Sequence, residues 1–166
     1  MVLYLRNDSI GTKAIADLCA VEGVVGIKWA TPNPLNLAQA KAACDPSLVW
    51  VGGLAETWAP VFYAVGARGF TSGLINVWPE RSLAIHAALE RGDYPTGNAL
   101  IAGMKAFEDI RAEEMNGTNV TAVKAALQVI GEDCGPTRPP SAWPLTAPHM
   151  ATLNTFIDDN NLAKAT

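Results

Sequence analysis

Gly23-Val24-Val25-Gly26-Ile27-Lys28-Trp29 is an apolar run bounded by glycine and ending in a lysine beside a tryptophan. It shows no alternation of polar and apolar residues over 24–27. A strand of this kind is buried on both faces, as the strands of a parallel sheet are. The same unit recurs on either side. Upstream, Val2-Leu3-Tyr4-Leu5 is a strand, followed by a helical pattern over 12–20 with Ile15, Leu18 and Cys19 on one face. Downstream come a helix over 36–43 and a strand Leu48-Val49-Trp50-Val51 closed by Gly52-Gly53. A helix over 56–65 and a strand over 68–75 follow. Pro79 then opens a helix that runs to Arg91 and stops at Gly92. Four successive strand–helix units predict a parallel sheet covered by helices.

After Gly92 no further strands are expected. The pattern predicts a helix over 95–114 carrying Leu100, Ile101, Met104, Phe107 and Ile110, and another over 120–130 stopped by Gly131. A proline-rich loop, Gly135-Pro136-Thr137-Arg138-Pro139-Pro140, precedes a last helix, capped by Thr146 and running through Phe156. The organisation expected is one domain over 1–166, with the strand–helix units in 1–92 and a helical tail in 93–166.

Composition narrows the function classes. The chain has 166 residues, 49% apolar and 17% charged, so it can bury a core. Its 12 basic and 16 acidic residues give a net charge of −4, without the basic excess of a nucleic-acid binder. No apolar run reaches the ~20 residues of a membrane helix. No signal peptide is readable at Met1–Arg6, and a cytoplasmic protein is the expectation. Cys19, Cys44 and Cys134 are far apart and lack metal-ligand spacing, so neither a disulfide framework nor a metal site is expected. Asn7, Asn116 and Asn119 match the glycosylation triplet; without a secretion signal they are chance.

Two architectures fit the pattern. A closed (β/α)8 barrel takes about 250 residues, and four units are half of one. A small doubly wound α/β domain is the rival. Such a domain usually carries a phosphate-binding glycine loop after its first strand. Arg6-Asn7-Asp8-Ser9-Ile10-Gly11 is not one, and Gly66-Ala67-Arg68-Gly69 is not one either.

Lys28 carries the chemistry. It ends an apolar strand, where α/β folds place reactive side chains. A desolvated amine there can attack a carbonyl. Tyr4 ends the preceding strand, on the same rim of a parallel sheet, where a phenol can relay protons. The plain alternatives are a lysine whose head reaches solvent and an amphipathic core tyrosine. His86 and His149 lie in helical contexts and read as surface or packing residues. The five tryptophans read mostly as core, with Trp29 able to reach a pocket.

The segments Tyr4-Leu5-Arg6-Asn7, Gly23 to Lys28 and Gly66 to Asn76, in that order, resemble the second half of the dihydrodipicolinate synthase/N-acetylneuraminate lyase family. Val51-Gly52-Gly53-Leu54, Asp109-Ile110-Arg111, Val123-Lys124-Ala125, Gly135 to Pro139 and Leu145-Thr146 resemble its 5-dehydro-4-deoxyglucarate dehydratase branch. The likeness runs from about Val2 to Ile157. It implies strands five to eight of a (β/α)8 barrel, followed by a helical tail, in a cytoplasmic homo-oligomeric lyase. It also implies a Schiff base between Lys28 and a 2-oxo acid, with no metal or organic cofactor. Tyr4 resembles the proton-relaying tyrosine and Gly53 the glycine lining the pocket. Ser72 could face the substrate, and Asn76 more naturally fixes its loop. Arg138 resembles a structural residue bonding the carbonyls of the proline-rich loop. The reaction implied is a dehydration with decarboxylation. The alternatives are a pyruvate-dependent aldolase reaction, as in dihydrodipicolinate synthase, and a non-catalytic half-barrel.

Two departures stand out. Trp29 and Ala30 follow the lysine where much of the family has an acidic residue, which bears on the substrate, because that position is expected near the pocket rim. The family's carboxylate-binding Gly-Thr-Thr or Gly-Thr-Gly segment, which follows an earlier strand, has no counterpart here. The chain is therefore expected to be a fragment, through truncation, an internal start or pairing with another half. Val24, Val25, Ile27, Val49, Val51, Phe70 and Leu74 are expected to form an open inner face. That face should make the isolated chain self-associate or dissolve poorly, and leave it catalytically impaired.

Overall fold

Three strands, β1 (Val2–Leu5), β2 (Gly26–Trp29) and β3 (Val49–Gly52), form a parallel sheet in sequence order. The register sets Tyr4 beside Lys28 and Lys28 beside Val51; one residue on, Leu5, Trp29 and Gly52 stand in line. This computed structural model describes residues 1–140 and 142–163. Contacts divide the chain into two compact units, residues 1–72 with 85–98, and residues 73–84 with 99 onward.

In the first unit, α1 (Thr12–Cys19) follows β1, α2 (Pro34–Ala43) follows β2 and α3 (Ala55–Ala64) follows β3. Side chains alternate across the sheet. Leu5, Ile27, Trp29 and Trp50 turn to the helices and form one core with Ile15, Leu37, Ala40 and Phe62. The opposite face carries Val2, Tyr4, Lys28, Val49 and Val51. The contrast is large: Ile27 and Trp50 are 1% and 2% exposed, whereas Tyr4 and Val49 are 54% and 53% exposed. Burying a large apolar side chain contributes about 1.5–3 kcal/mol, so the helix side of the sheet carries most of its stability. Gly52 is required on that side, because an added Cβ would lie 2.7 Å from the Phe62 ring.

The fourth strand expected over 68–75 is reduced to a single parallel bridge, Gly52 with Phe70. Gly52 N donates to Gly69 O and Thr71 N donates to Gly52 O, both at 2.8 Å. The chain then turns into a short 3-10 helix at Leu74–Asn76. The segment has β3 as its one bridge partner and is flanked by Gly69 and Gly73, which leaves little to hold it extended. The inner-face list also needs correction. Phe70 stands in register with Gly52 and packs on the Tyr63 ring at 6.5 Å, and Ile27 faces the helices. Leu74 is buried within the 3-10 turn. Val24 is buried as well, Val25 is exposed just ahead of β2, and Val49 and Val51 remain on the open side.

α4 (Pro79–Glu90) and α5 (Tyr94–Ala102) each have residues in both units. In the second unit α6 (Lys105–Asn116), α7 (Asn119–Val129) and α8 (Ala147–Asp159) pack on one another. The helix expected over 95–114 is thus two helices. They part at Gly103, where an added Cβ would lie 3.1 Å from the Arg81 guanidinium, and Arg81 Nη1 donates to Leu100 O at 3.2 Å. Helical geometry in α6 is lost at Glu113, and Glu114, Met115 and Asn116 take left-handed φ. Buried Thr118 accounts for that ending: its Oγ1 donates to Ile110 O at 2.6 Å and Glu113 O at 3.1 Å. Thr146 caps α8, accepting from His149 N at 3.3 Å.

Candidate active site

The C-terminal ends of β1, β2 and β3 form one rim, where the strand-to-helix loops begin. Tyr4 and Lys28 are register partners on its open side. Lys28 Nζ stands over the Tyr4 ring, 4.5 Å from its centroid. Arg6, two residues past Tyr4, brings its guanidinium carbon within 5.7 Å of the same ring. A cation is attracted to an aromatic face within about 6 Å. The tyrosine therefore gathers two cationic side chains at one rim.

Three other lysines are engaged elsewhere. Lys13 pairs with Asp17 and Lys105 with Asp109. Lys124 Nζ donates to the carbonyls of Cys134, Gly135 and Pro136 at 3.0–3.2 Å. The loop-bonding work expected of Arg138 is thus done by Lys124, and Arg138 is exposed.

Gly53 lies directly against the lysine. A Cβ there would stand 3.1 Å from Lys28 Cε, 3.0 Å from Trp29 O and 2.7 Å from Ala30 Cβ. Gly53 N donates to Trp29 O at 2.6 Å, extending the β2–β3 ladder by one residue. Just beyond, Ala55 takes φ +63°, a left-handed conformation that an alanine adopts at a cost. The rim of β3 is therefore a strained, side-chain-free shelf beside the lysine stem.

The remaining residues named from the sequence are placed less centrally. Ser72 is half-buried, one residue beyond Thr71, whose amide is bonded to Gly52. Alternation from Phe70 gives Thr71 to the Lys28 side of the sheet. Asn76 lies in the second unit, and its Nδ2 donates to Gly73 O at 3.1 Å, a local turn bond. Trp29 does not reach the open face: it is 1% exposed on the helix side, 6.2 Å from the Trp50 ring, and its Nε1 is buried without a hydrogen-bond partner. His86 Nδ1 pairs with the Tyr63 hydroxyl at 2.7 Å between α3 and α4.

Sequence reasoning missed a polar cluster at the same rim. Asp8, in the loop after β1, accepts from Thr31, Asn33 and Asn36 in and after the loop following β2. The Asn33 amide, with Thr31 and Asn36 behind it, holds the Asp8 carboxyl below its usual range. The only sequence signal was the density of Asn, Asp and Thr in both loops. Among the described residues, no group of three or more His, Cys, Asp and Glu is placed to hold a metal ion, and no helix is long and apolar enough to cross a membrane.

Comparison with known proteins gives a consistent result. The sequence pattern of the Dihydrodipicolinate synthetase family matches residues 1–159. A curated relative from Streptomyces avermitilis, named "Probable 5-dehydro-4-deoxyglucarate dehydratase 1", is 30% identical over 95% of this chain and 52% of its own length. One from Rhodococcus opacus, "Probable 5-dehydro-4-deoxyglucarate dehydratase", is 31% identical over 95% of this chain and 53% of its own. Among solved structures, the dihydrodipicolinate synthase from Oceanobacillus iheyensis superposes with a TM-score of 0.88 at 34% identity. It covers 96% of this chain and 54% of that one. The synthase from Bacillus clausii gives a TM-score of 0.89 at 28% identity, covering 97% of this chain and 55% of its own. The chain spans about half the length of the curated relatives it matches. Its parallel sheet with helices thus corresponds to about half of a dihydrodipicolinate synthase-type barrel.

Proposed function

The chain belongs to the dihydrodipicolinate synthetase family, and on that premise we propose that it supplies the Schiff-base half of a lyase acting on a 2-oxo acid, with Lys28 as the amine. The observation that carries this reading is the placement of Lys28 Nζ over the Tyr4 ring, at the C-terminal rim and with Gly53 clearing its stem. In this reading β1 to β3 and the Phe70 segment are strands five to eight of the barrel, and the helices after Gly92 are its tail.

The chemistry follows from the amine. Neutral Lys28 adds to the ketone carbon of the 2-oxo acid and gives a carbinolamine. The Tyr4 hydroxyl passes a proton to the departing oxygen, water leaves, and a protonated imine remains. That cation lies over the Tyr4 ring face, which favours positive charge. It withdraws electrons, so a proton is lost from the adjacent carbon and an enamine forms. The enamine then expels hydroxide, as water, from the next carbon. Arg6, beside the same ring, offers a cation to a substrate carboxylate. Gly53 and Thr71 line the approach, and Asn76 holds its own turn. No metal or organic cofactor takes part.

The relatives' names favour 5-dehydro-4-deoxyglucarate as substrate of a dehydration; the resemblance of the sequence implies that carbon dioxide leaves as well, the electron pair of the broken carbon–carbon bond passing through the new double bond into the imine. The similarity to dihydrodipicolinate synthases at 34% identity supports a second reading, pyruvate-dependent carbon–carbon bond formation. Incubation with each 2-oxo acid, followed by carbon dioxide release and proton NMR of the products, separates them. Carbon dioxide from 5-dehydro-4-deoxyglucarate supports the first reading. Pyruvate consumption with an aldehyde and no carbon dioxide release supports the second. No turnover of either by an assembly containing Lys28 rejects both.

A further inference from the structure

We propose that Asp8 is a positioning residue for Lys28, its carboxylate tying the loop after β1 to the loop after β2 and so fixing the backbone that leaves the lysine. Asp8 Oδ1 accepts from Thr31 Oγ1 at 3.1 Å and from Asn36 Nδ2 at 3.3 Å, and Oδ2 accepts from Asn33 Nδ2 at 3.0 Å. The three donors span the entry to α2. Asn33 is itself the cap of that helix, accepting from Asn36 N at 3.0 Å. Thr31 is 2% exposed, so its hydroxyl is committed to Asp8 rather than to water. Asp8 in turn sits in an ordered turn, where Asn7 Oδ1 accepts from Ser9 N at 3.0 Å and Ser9 Oγ at 2.8 Å.

The residues after Lys28 are each held by a different neighbour. Trp29 O accepts from Gly53 N, and Ala30 N donates to Leu5 O at 2.9 Å. Thr31 is held through its side chain by Asp8. Removing the Asp8 carboxylate frees the outermost of these ties and leaves three polar side chains without their acceptor. Ala30 Cβ and Lys28 Cε border the same space over Gly53, 2.7 and 3.1 Å from where a Cβ would stand there, so a shift of Ala30 reaches the lysine stem through that space. A carboxylate with both oxygens engaged by three donors is poorly placed to act as a base itself; its effect runs through Lys28.

The assignment deepens the reading above and rests on it for the chemistry alone. Its test therefore uses a chemical and a non-chemical readout on the full chain. The Tyr4 ring current should displace the Lys28 ε-methylene proton resonance upfield of the other lysines in a carbon–proton NMR spectrum. Asp8→Ala should move that resonance toward the other lysines and speed amide exchange across 29–36. It should also slow cyanoborohydride trapping of pyruvate on Lys28, on the order of tenfold to a hundredfold, as a small misplacement of a reacting group does. Asp8→Asn, which keeps one oxygen, should fall between. If Asp8→Ala fails to fold, Thr31→Val removes one donor and should shift the same resonance less. Asp17→Ala, which breaks only the Lys13 pair, should leave it unmoved. A Lys28 resonance and loop exchange unchanged in Asp8→Ala overturn the assignment. Absence of an adduct in the unaltered chain counts against the lyase reading, while the resonance still decides the role of Asp8.

Discussion

Lys28 and Tyr4 are register partners on adjacent parallel strands, and the lysine Nζ stands 4.5 Å from the centre of the tyrosine ring. This relationship has two separable parts, the ring face and the hydroxyl. Tyr4→Phe keeps the face and removes the proton relay. Imine formation should slow, because the hydroxyl serves the carbinolamine step, and turnover should fall about 10²–10⁴-fold, the usual worth of a positioned acid–base group. Tyr4→Ala should lose both. Steady-state rates measured alongside reductive trapping check this; equal trapping losses in the two variants would show that the ring face contributes nothing.

Gly53→Ala should be damaging, although glycine to alanine is a small change. Two of the atoms it meets, Trp29 O and Ala30 Cβ, belong to backbone or lie next to it and cannot swing aside. Overpacking of this kind typically costs about 1–3 kcal/mol. Urea unfolding should show that loss, and trapping at Lys28 should slow because its stem is displaced. A variant as stable and as reactive as the parent would mean that the shelf beside the lysine is not tight.

Trp29 stands where much of the family has an acidic residue, yet it faces the helices. Its identity should therefore affect stability and leave substrate choice alone. Trp29→Ala should cost about 3–5 kcal/mol, as large-to-small core changes do. Trp29→Phe should leave the ratio of kcat/KM values for different 2-oxo acids unchanged. A changed ratio would show that the position communicates with substrate after all.

The strand–helix alternation and the lysine strand were legible because apolar continuity and strand-end position are local signals. The side each residue faces was not. Val49-Trp50-Val51 reads as uniformly apolar, yet Trp50 is in the core and Val49 is 53% exposed. Pairing register decides that, and register depends on neighbouring strands. The break at Gly103 and the left-handed turn at Glu114–Asn116 depend on Arg81 and Thr118, partners distant in sequence or placed by the fold. Asp8 was passed over for the same reason: its three donors lie 23–28 residues away.

The open side of the sheet should make the 166-residue chain self-associate. Val2, Val25 and Val49 are each more than half exposed on or beside it, next to Tyr4. β1 pairs with β2 alone and leaves an edge. Such edges and patches promote association. Light scattering across a concentration series should show species larger than 17.5 kDa, and Val2→Lys with Val49→Lys should shift them toward monomer. A monomer at every concentration would show that this face tolerates water.

The central claim is that Lys28 is the amine that takes the 2-oxo acid, and the measurement closest to it is the location of the trapped adduct. The chain is incubated with pyruvate and cyanoborohydride, digested, and the mass increment mapped across its lysines. The account predicts that Lys28 is modified well ahead of Lys13, Lys41, Lys105, Lys124 and Lys164, and that Lys28→Arg abolishes the fast phase. Modification spread evenly over the lysines, or concentrated on another one, would contradict it.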